Sequence, residues 1–228
     1  MNTDLTPITR LMALATGDEK HDASAHSTLD VLWVLYDRVL RYDPQHPRSE
    51  ERDRFVLSKG HGPIAFYAIL AAKGFFPPSE LARFATWDGI LGGHPDRRQV
   101  PGVEVSTGSL GHGLPMAVGM TLALRAKKSD RRVFALIGDG ECNEGSIWEA
   151  ILLAGDLHLA SLTCIVIDNQ SSTRNLTDIA KKFAAFQWSA TDIDGRDHDQ
   201  IYQALTQTDP LRPTAIIAHI AERKGGRS

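Results

Sequence analysis

The fold class is decided by residues 133–170, which read VFALIGDGECNEGSIWEAILLAGDLHLASLTCIVIDNQ. This stretch contains two apolar runs, at 133–137 and 162–167, with a helical pattern between them at 147–157. Neither run alternates apolar with polar residues, which is typical of strands buried on both faces of a parallel sheet. A strand, a helix and a strand at this spacing predict a βαβ unit with a right-handed crossover.

The rest of the chain extends this pattern in both directions. Further strands are predicted at 55–57 and 214–218, and further helices at 27–40, 64–74, 115–128, 179–186 and 199–205. No internal linker or repeat interrupts the sequence. We therefore expect one α/β domain over residues 1–228, a doubly wound and mostly parallel sheet with helices on both faces. The loop at 89–113 contains nine glycines and prolines, and a loop of this length in a compact domain usually has a function.

Composition narrows the class of protein. The 228 residues carry a net charge of −3, so neither nucleic acid nor an anionic membrane surface is indicated as the main partner. The longest apolar runs are far shorter than a bilayer span, and the N-terminus shows no secretory pattern. Only two cysteines occur, which excludes a disulfide scaffold and favours a reducing compartment. We expect a cytoplasmic protein.

Ligands of an open parallel sheet bind at the carboxyl ends of its strands. Gly138-Asp139-Gly140 follows the first strand of the βαβ unit, and Asp168-Asn169-Gln170 follows the second. Gly-Asp-Gly alone is typical of a turn. Paired with Asn169 it offers one carboxylate and one neutral oxygen, which would leave a divalent cation under-neutralised and able to bridge to a diphosphate, as magnesium does.

Several strings accompany this pair in a fixed order along the chain. They are LSKGHG at 57–62, GGHPD at 92–96, TGSLGHGLP at 107–115 and GDGECNEG at 138–145. With them the chain resembles the transketolase family, and within it the N-terminal, diphosphate-binding subunit of a two-chain transketolase that depends on thiamine diphosphate. The resemblance implies thiamine diphosphate and Mg²⁺ (or Ca²⁺) as cofactors.

The resemblance also implies roles for individual residues. Asp139 and Asn169 would ligate the cation, with the backbone carbonyl of Ser171 as a third ligand. The Gly140 amide would meet the diphosphate, and Leu110 would pack against the cofactor's rings. The full set that the resemblance assigns to cofactor binding is His61, Gly108, Leu110, Gly138, Asp139, Gly140, Glu141 and Asn169.

Four residues are implied to act at the reacting centre or between active sites. His61 would lie near the phosphates and the reacting carbon, and His94 would hydrogen-bond the ketose donor. His21 matches a further active-site histidine, and Glu144 matches an acid that links paired active sites across the subunit interface. Each has a structural alternative. His61 could cap the following helix, His94 could shape a turn, His21 could be a solvated surface residue, and Glu144 could be an exposed first-turn acid.

The function implied is transfer of a two-carbon ketol unit from a ketose or ketose phosphate. In this family the activating glutamate lies on a pyrimidine-binding domain, which we expect on a separate chain that is required for turnover. Paired copies, each with its partner, would form a heterotetramer. Two alternatives stay open. One is the alpha-type subunit of a 2-oxo-acid decarboxylating enzyme, which the Ser-Lys-Gly-His and Gly-Gly-His-Pro strings disfavour. The other is a non-catalytic assembly subunit. The segment at 170–181 favours it, because this segment is shorter than members of the family usually have there.

Overall fold

The computed structural model describes residues 2–15, 22–60 and 62–220. These residues form a central sheet of five strands, which pair in the order β1-β2-β3-β5-β4 and are parallel throughout. The strands are β1 (Arg54–Leu57), β2 (Val133–Gly138), β3 (Leu162–Asp168), β4 (Ser189–Asp194) and β5 (Thr214–His219). The predicted α/β class and the parallel βαβ unit are therefore confirmed.

Helices cover both faces of this sheet. In chain order they are α1 (Thr6–Met12), α2 (Asp22–Val34), α3 (Ile64–Ala72), α4 (Gly113–Ala126), α5 (Gly145–Asp156), α6 (Ile179–Ala185) and α7 (His198–Thr206). The first three helices and α7 share one hydrophobic cluster, and α4, α5 and α6 share a second. Along β2, Phe134 joins the first cluster and Ala135 the second, because successive side chains of a strand point to opposite faces.

The strand order explains why the last helices change face. The chain leaves β3, places β4 at the edge of the sheet, and then returns to insert β5 between them. Because each crossover is right-handed, reversing the direction of travel moves the connecting helix to the opposite face. Accordingly α6 packs in the second cluster and α7 in the first. Ligands of such folds bind at the carboxyl edge of the sheet.

Several features differ from the sequence expectations, among them the helix predicted at 27–40, which is an α-helix over Asp22–Val34 followed by a π-helical turn at Leu35–Val39. Strand β4 was not predicted, because only Ile193 of its six residues is buried and an edge strand therefore carries no apolar run. Helix α1 was not predicted either, although Ile8 and Met12 anchor it to the core. Helix α4 begins at Gly113 rather than at Pro115. In the part of the chain that the structure describes, no helix has the length and apolar character needed to cross a bilayer.

Candidate active site

Three loops meet at the carboxyl edge of the sheet. Leu57 of β1 is in register with Leu136 of β2, and Gly138 of β2 is in register with Ile167 of β3. The segments that follow these strands, at 58–60, 139–141 and 169–171, therefore lie side by side. The candidate site predicted from the βαβ unit is assembled at this edge.

Asp139 joins the loops that follow β2 and β3. It is almost completely buried. Its Oδ1 accepts hydrogen bonds from the Gly140 amide at 2.9 Å and from Ser171 Oγ at 2.6 Å. Its Oδ2 accepts from the Ser172 amide at 3.0 Å. The structure thus places Ser171 beside Asp139 through its hydroxyl, and the Gly140 amide, predicted to meet the diphosphate, donates here to Asp139.

Asn169 carries the observation that tests the predicted cation site. Its side-chain oxygen Oδ1 is buried and accepts no hydrogen bond from any described residue. A buried oxygen without a donor costs about 1–3 kcal/mol, so a native fold retains one where a ligand satisfies it. One carboxylate, one amide oxygen and neighbouring hydroxyls are the hard oxygen donors that Mg²⁺ and Ca²⁺ prefer. The residues present therefore fit such a cation.

A small cleft lies beside these loops, and Asp139 but not Asn169 is among the residues that line it. Its volume is about 200 Å³, and its lining includes Asp139, Gln170, Ser172 and Arg174. Ser172 Oγ lies 3.2 Å from Asn143 Oδ1 and 3.0 Å from the Arg174 carbonyl, which ties the shortened loop to the loop after β2. Neither Ser172 nor Arg174 was predicted. Arg174 brings a guanidinium to a cleft otherwise lined by acidic and neutral groups.

Glu141 organises three segments of the site. Its buried carboxylate accepts hydrogen bonds from Ser58 Oγ at 2.6 Å, from the Gly111 amide at 3.1 Å and from the Gly138 amide at 3.1 Å. Burial raises the pKa of Glu141, and these hydrogen bonds oppose that rise. Ser58 Oγ accepts in turn from the Gly113 amide at 3.1 Å. The described contacts of Glu141 are with protein groups, so its predicted contact with the cofactor stays a prediction.

Lys59 is a second buried charge that the sequence reasoning missed. Burial lowers its pKa to about 8, against the opposing effect of the Asp139 and Glu141 carboxylates. Its aliphatic chain packs over Gly138, where a Cβ would come within 3.2 Å of Lys59 Cε. The signal was available in the Ser-Lys-Gly-His string, since a lysine directly after a buried strand lies at the ligand edge.

The Gly-rich loops approach one another too closely for side chains. A Cβ on Gly60 would lie 2.8 Å from the Gly108 amide nitrogen. Gly108 has a φ of +146°, and a Cβ there would lie 2.7 Å from the His94 ring. The structure therefore brings His94 and Gly108 together next to the loop after β1, and their predicted contacts with the substrate and the cofactor stay predictions.

Leu110 and Glu144 lie at the outer side of the site. Both are exposed, and Glu144 is the residue before the first turn of α5. A Cβ on Gly111 would come within 2.7 Å of Glu144 Cβ, so the Leu110 loop lies directly against the start of this helix. His61 and His21 lie outside the described residues, and their predicted roles stay predictions.

Comparison with known protein families identifies the family to which this chain belongs. The family model described as "Transketolase, thiamine diphosphate binding domain" matches residues 7–221. The chain belongs to the transketolase family. Ketol transfer with thiamine diphosphate is the reaction of this family, and the chain corresponds to its diphosphate-binding part.

Of three individual proteins that the chain is similar to, two carry the transketolase name. The chain is 48% identical over 220 residues to "Ferredoxin fas2" of Rhodococcoides fascians, a match that covers 96% of the chain and 72% of that protein. It is 38% identical over 214 residues to the "6-deoxy-6-sulfo-D-fructose transketolase subunit SqwG" of Clostridium sp., covering 90% of the chain and 78% of the subunit. The solved transketolase of Leishmania mexicana superposes with a TM-score of 0.81 at 26% sequence identity. The superposition covers 96% of this chain and 37% of the Leishmania chain.

Transketolase membership accounts for the strings as well as for the fold. Burial raises the pKa of the Cys142 thiol to about 12, which disfavours the reactive thiolate form. Within the described residues no group of three His, Cys, Asp or Glu side chains could hold a metal by itself. A cation at Asp139 and Asn169 would therefore rely on neutral oxygens and on the phosphates of its ligand, as Mg²⁺ commonly does.

Proposed function

We propose that this transketolase-family chain is the diphosphate-binding subunit of a two-chain enzyme that transfers a two-carbon ketol unit from a ketose or ketose phosphate. The single observation that carries the proposal is the buried Asn169 Oδ1, which has no partner among the described residues and lies on the loop whose Ser171 and Ser172 donate to the Asp139 carboxylate. Thiamine diphosphate, when bound, supplies the carbon nucleophile and the electron sink for this reaction. The protein's task is to bind it, orient it and manage charge around it.

The residues of this chain divide that task between them. Asp139, Asn169 and the Ser171 carbonyl would hold Mg²⁺ or Ca²⁺, which in turn would hold the diphosphate. Lys59 places a positive charge close to the same carboxylates, and Arg174 lines the cleft beside them. Both cations favour an anionic ligand at this edge. His94, His61 and His21 are proposed to face the sugar, where an imidazole can donate hydrogen bonds to hydroxyl groups.

The cofactor site is tested by substituting Asp139. D139N keeps the shape of the side chain but removes the charge that a divalent cation needs, and we expect thiamine diphosphate with Mg²⁺ to bind about 100-fold more weakly by titration calorimetry. The matched control is D156N, the same substitution at an exposed position. Wild-type affinity in D139N, with the fold intact by circular dichroism, contradicts the assignment.

The need for a partner chain is tested by reconstitution. We propose that a pyrimidine-binding subunit supplies the activating carboxylate and closes the cleft over Leu110 and His94, which are both exposed here. The purified chain should show no ketol transfer from a ketose phosphate until that subunit is added. Full activity of the chain alone contradicts the two-chain proposal. Cofactor binding without turnover in the reconstituted complex supports the alternative of a non-catalytic assembly subunit.

We also propose that two copies of the chain pair within a cytoplasmic heterotetramer. Leu152 and Leu153 are exposed apolar residues on α5, which packs beside α4. On α4, Gly119 has open space where a side chain would stand. An exposed apolar surface of this kind is typical of an interface. L152D/L153D should therefore halve the mass measured by light scattering, and an unchanged mass contradicts this face as the contact.

A further inference from the structure

A second cleft lies at the opposite end of β1 from the candidate active site. It has a volume of about 390 Å³, which is within the range of sites for small ligands. It is formed by the segment that leads into β1 and by the backbone at 99–104. Arg54, the first residue of β1, lines it, whereas the candidate active site follows the last residue of that strand. The two sites are therefore distinct.

The charge of this cleft is strongly unbalanced. Its charged lining consists of five arginines and two glutamates, a net charge of +3, and these are Arg48, Arg52, Arg54, Arg97, Arg98, Glu50 and Glu104. The neighbouring cleft offers a contrast, because its lining has three basic and three acidic side chains, namely Arg54, Lys127, Lys128, Glu50, Glu51 and Asp130. Only the first of the two presents an excess of positive charge to a ligand.

Part of this charge is held in a fixed position. The side chains of Arg52 and Arg54 are only 15% and 13% exposed, and both face one carboxylate, that of Glu104, at 2.5 Å and 3.5 Å. Arg54 also donates to the Arg52 carbonyl at 2.5 Å, which fixes its guanidinium against the backbone. Among the ion pairs of the described residues, these two largely buried guanidiniums thus share the Glu104 carboxylate. Arg52 Nε is in addition buried without a hydrogen-bond acceptor among the described residues.

The remaining arginines are available to a ligand. Glu50 is paired with Lys127 at 2.9 Å and so is already neutralised. Among the ion pairs of the described residues, none involves Arg48, Arg97 or Arg98. Guanidiniums bind phosphate groups through paired hydrogen bonds and are the preferred side chains for that purpose. A concave site with fixed inner arginines and free outer ones suits a compact, multiply charged anion.

We propose that this arginine cleft is a binding site for a small phosphate-bearing compound, separate from the cofactor site. The net charge of +3 on the lining exceeds the charge of about −1.5 to −2 on a single phosphate monoester, so a ligand with more than one phosphate group matches it best. A macromolecular polyanion is disfavoured, because the charge is concentrated in a concavity rather than spread along a surface. The proposal does not depend on the identity of the reaction.

The test is a calorimetric titration of the full chain with inorganic tripolyphosphate, without divalent cations. R97Q/R98Q removes two positive charges from the cleft, and R10Q/K181Q removes two exposed positive charges that line neither this cleft nor its neighbour. We expect the wild type and R10Q/K181Q to bind alike, and R97Q/R98Q to bind at least about tenfold more weakly. If the double variant does not fold, the single variant R98Q replaces it with the same direction expected.

Three results would overturn the proposal, and R174Q separates it from binding at the active-site edge, because Arg174 is the basic residue that lines that cleft. Equal binding by R97Q/R98Q and the wild type rejects the arginine cleft. Lost tripolyphosphate binding in R174Q places the anion at the active-site edge instead, whereas retained binding supports the separate cleft. Tighter binding of a single-stranded oligonucleotide than of tripolyphosphate, abolished in R97Q/R98Q, shows a nucleic-acid surface rather than a site for a small compound.

Discussion

Glu141→Gln tests whether one buried carboxylate holds the active-site loops together. Its Oε1 accepts from Ser58 and from the Gly111 amide, and its Oε2 accepts from the Gly138 amide. A glutamine can keep the two bonds at Oε1 only by turning its amide nitrogen toward the Gly138 N–H, so that one buried donor faces another. An orphaned buried donor costs about 1–3 kcal/mol, and the two remaining bonds weaken because they lose the charge.

Removing the charge also recovers part of the cost of burying it, which offsets the weakened bonds. We therefore expect a net loss of about 2 kcal/mol in the free energy of unfolding, or about 4–8 °C in Tm for a chain of this size. Urea unfolding followed by circular dichroism measures it, with E149Q as the exposed control for the same substitution. A stability of E141Q within about 0.5 kcal/mol of E149Q would refute the reasoning, because a surface substitution has that effect anyway.

Two further predictions concern the backbone conformation of Gly108 and the titration of His219. Gly108→Ala should lower Tm and displace His94, because the added methyl would lie 2.7 Å from the imidazole at a φ of +146°; an unchanged Tm contradicts the close approach. Burial alone lowers the pKa of His219, but hydrogen bonds to Asp192 and Asp168 outweigh it and raise the pKa above the ordinary 6.5. The folded state thus holds this proton more tightly, so the stability advantage of wild type over H219Q is full below about pH 6.5 and is lost as pH rises through the raised value. Urea midpoints of both proteins from pH 5.5 to 8.5 measure it, and an advantage that grows with pH contradicts it.

Much of the fold could be predicted because its strands are buried on both faces. The run at 133–137 packs one residue in each cluster alternately, so it is apolar throughout and stands out in the sequence. Strand β4 has the opposite character. It lies at the edge, is held by backbone pairing to β5, and buries only Ile193. Backbone pairing does not require an alternating or apolar pattern of side chains. Such a strand is therefore recognised only when the strand beside it is known.

Residues of the candidate site could be predicted where the residue type alone indicates the chemical role. Asp139 and Asn169 offer oxygens after adjacent strands, and the structure places Asp139 against the loop that carries Asn169. Glu141 is a different case, because its carboxylate turns inward onto three protein donors, and side-chain direction within a short turn is not encoded in spacing. Lys59 was overlooked for a related reason, since its burial depends on the closeness of Gly138 across the sheet.

The hydrogen bonds that build the ligand edge join residues far apart along the chain. Ser58 and Glu141 are separated by 83 positions, and Asp139 and Ser171 by 32. No early fragment of the polypeptide can therefore offer the complete set of oxygens, and they assemble only after three strands have docked in register. A ligand that recognises them binds the finished domain and not its precursors, so its binding energy adds to the stability of the folded state alone. During synthesis, the cofactor would therefore stabilise only those subunits that have already folded.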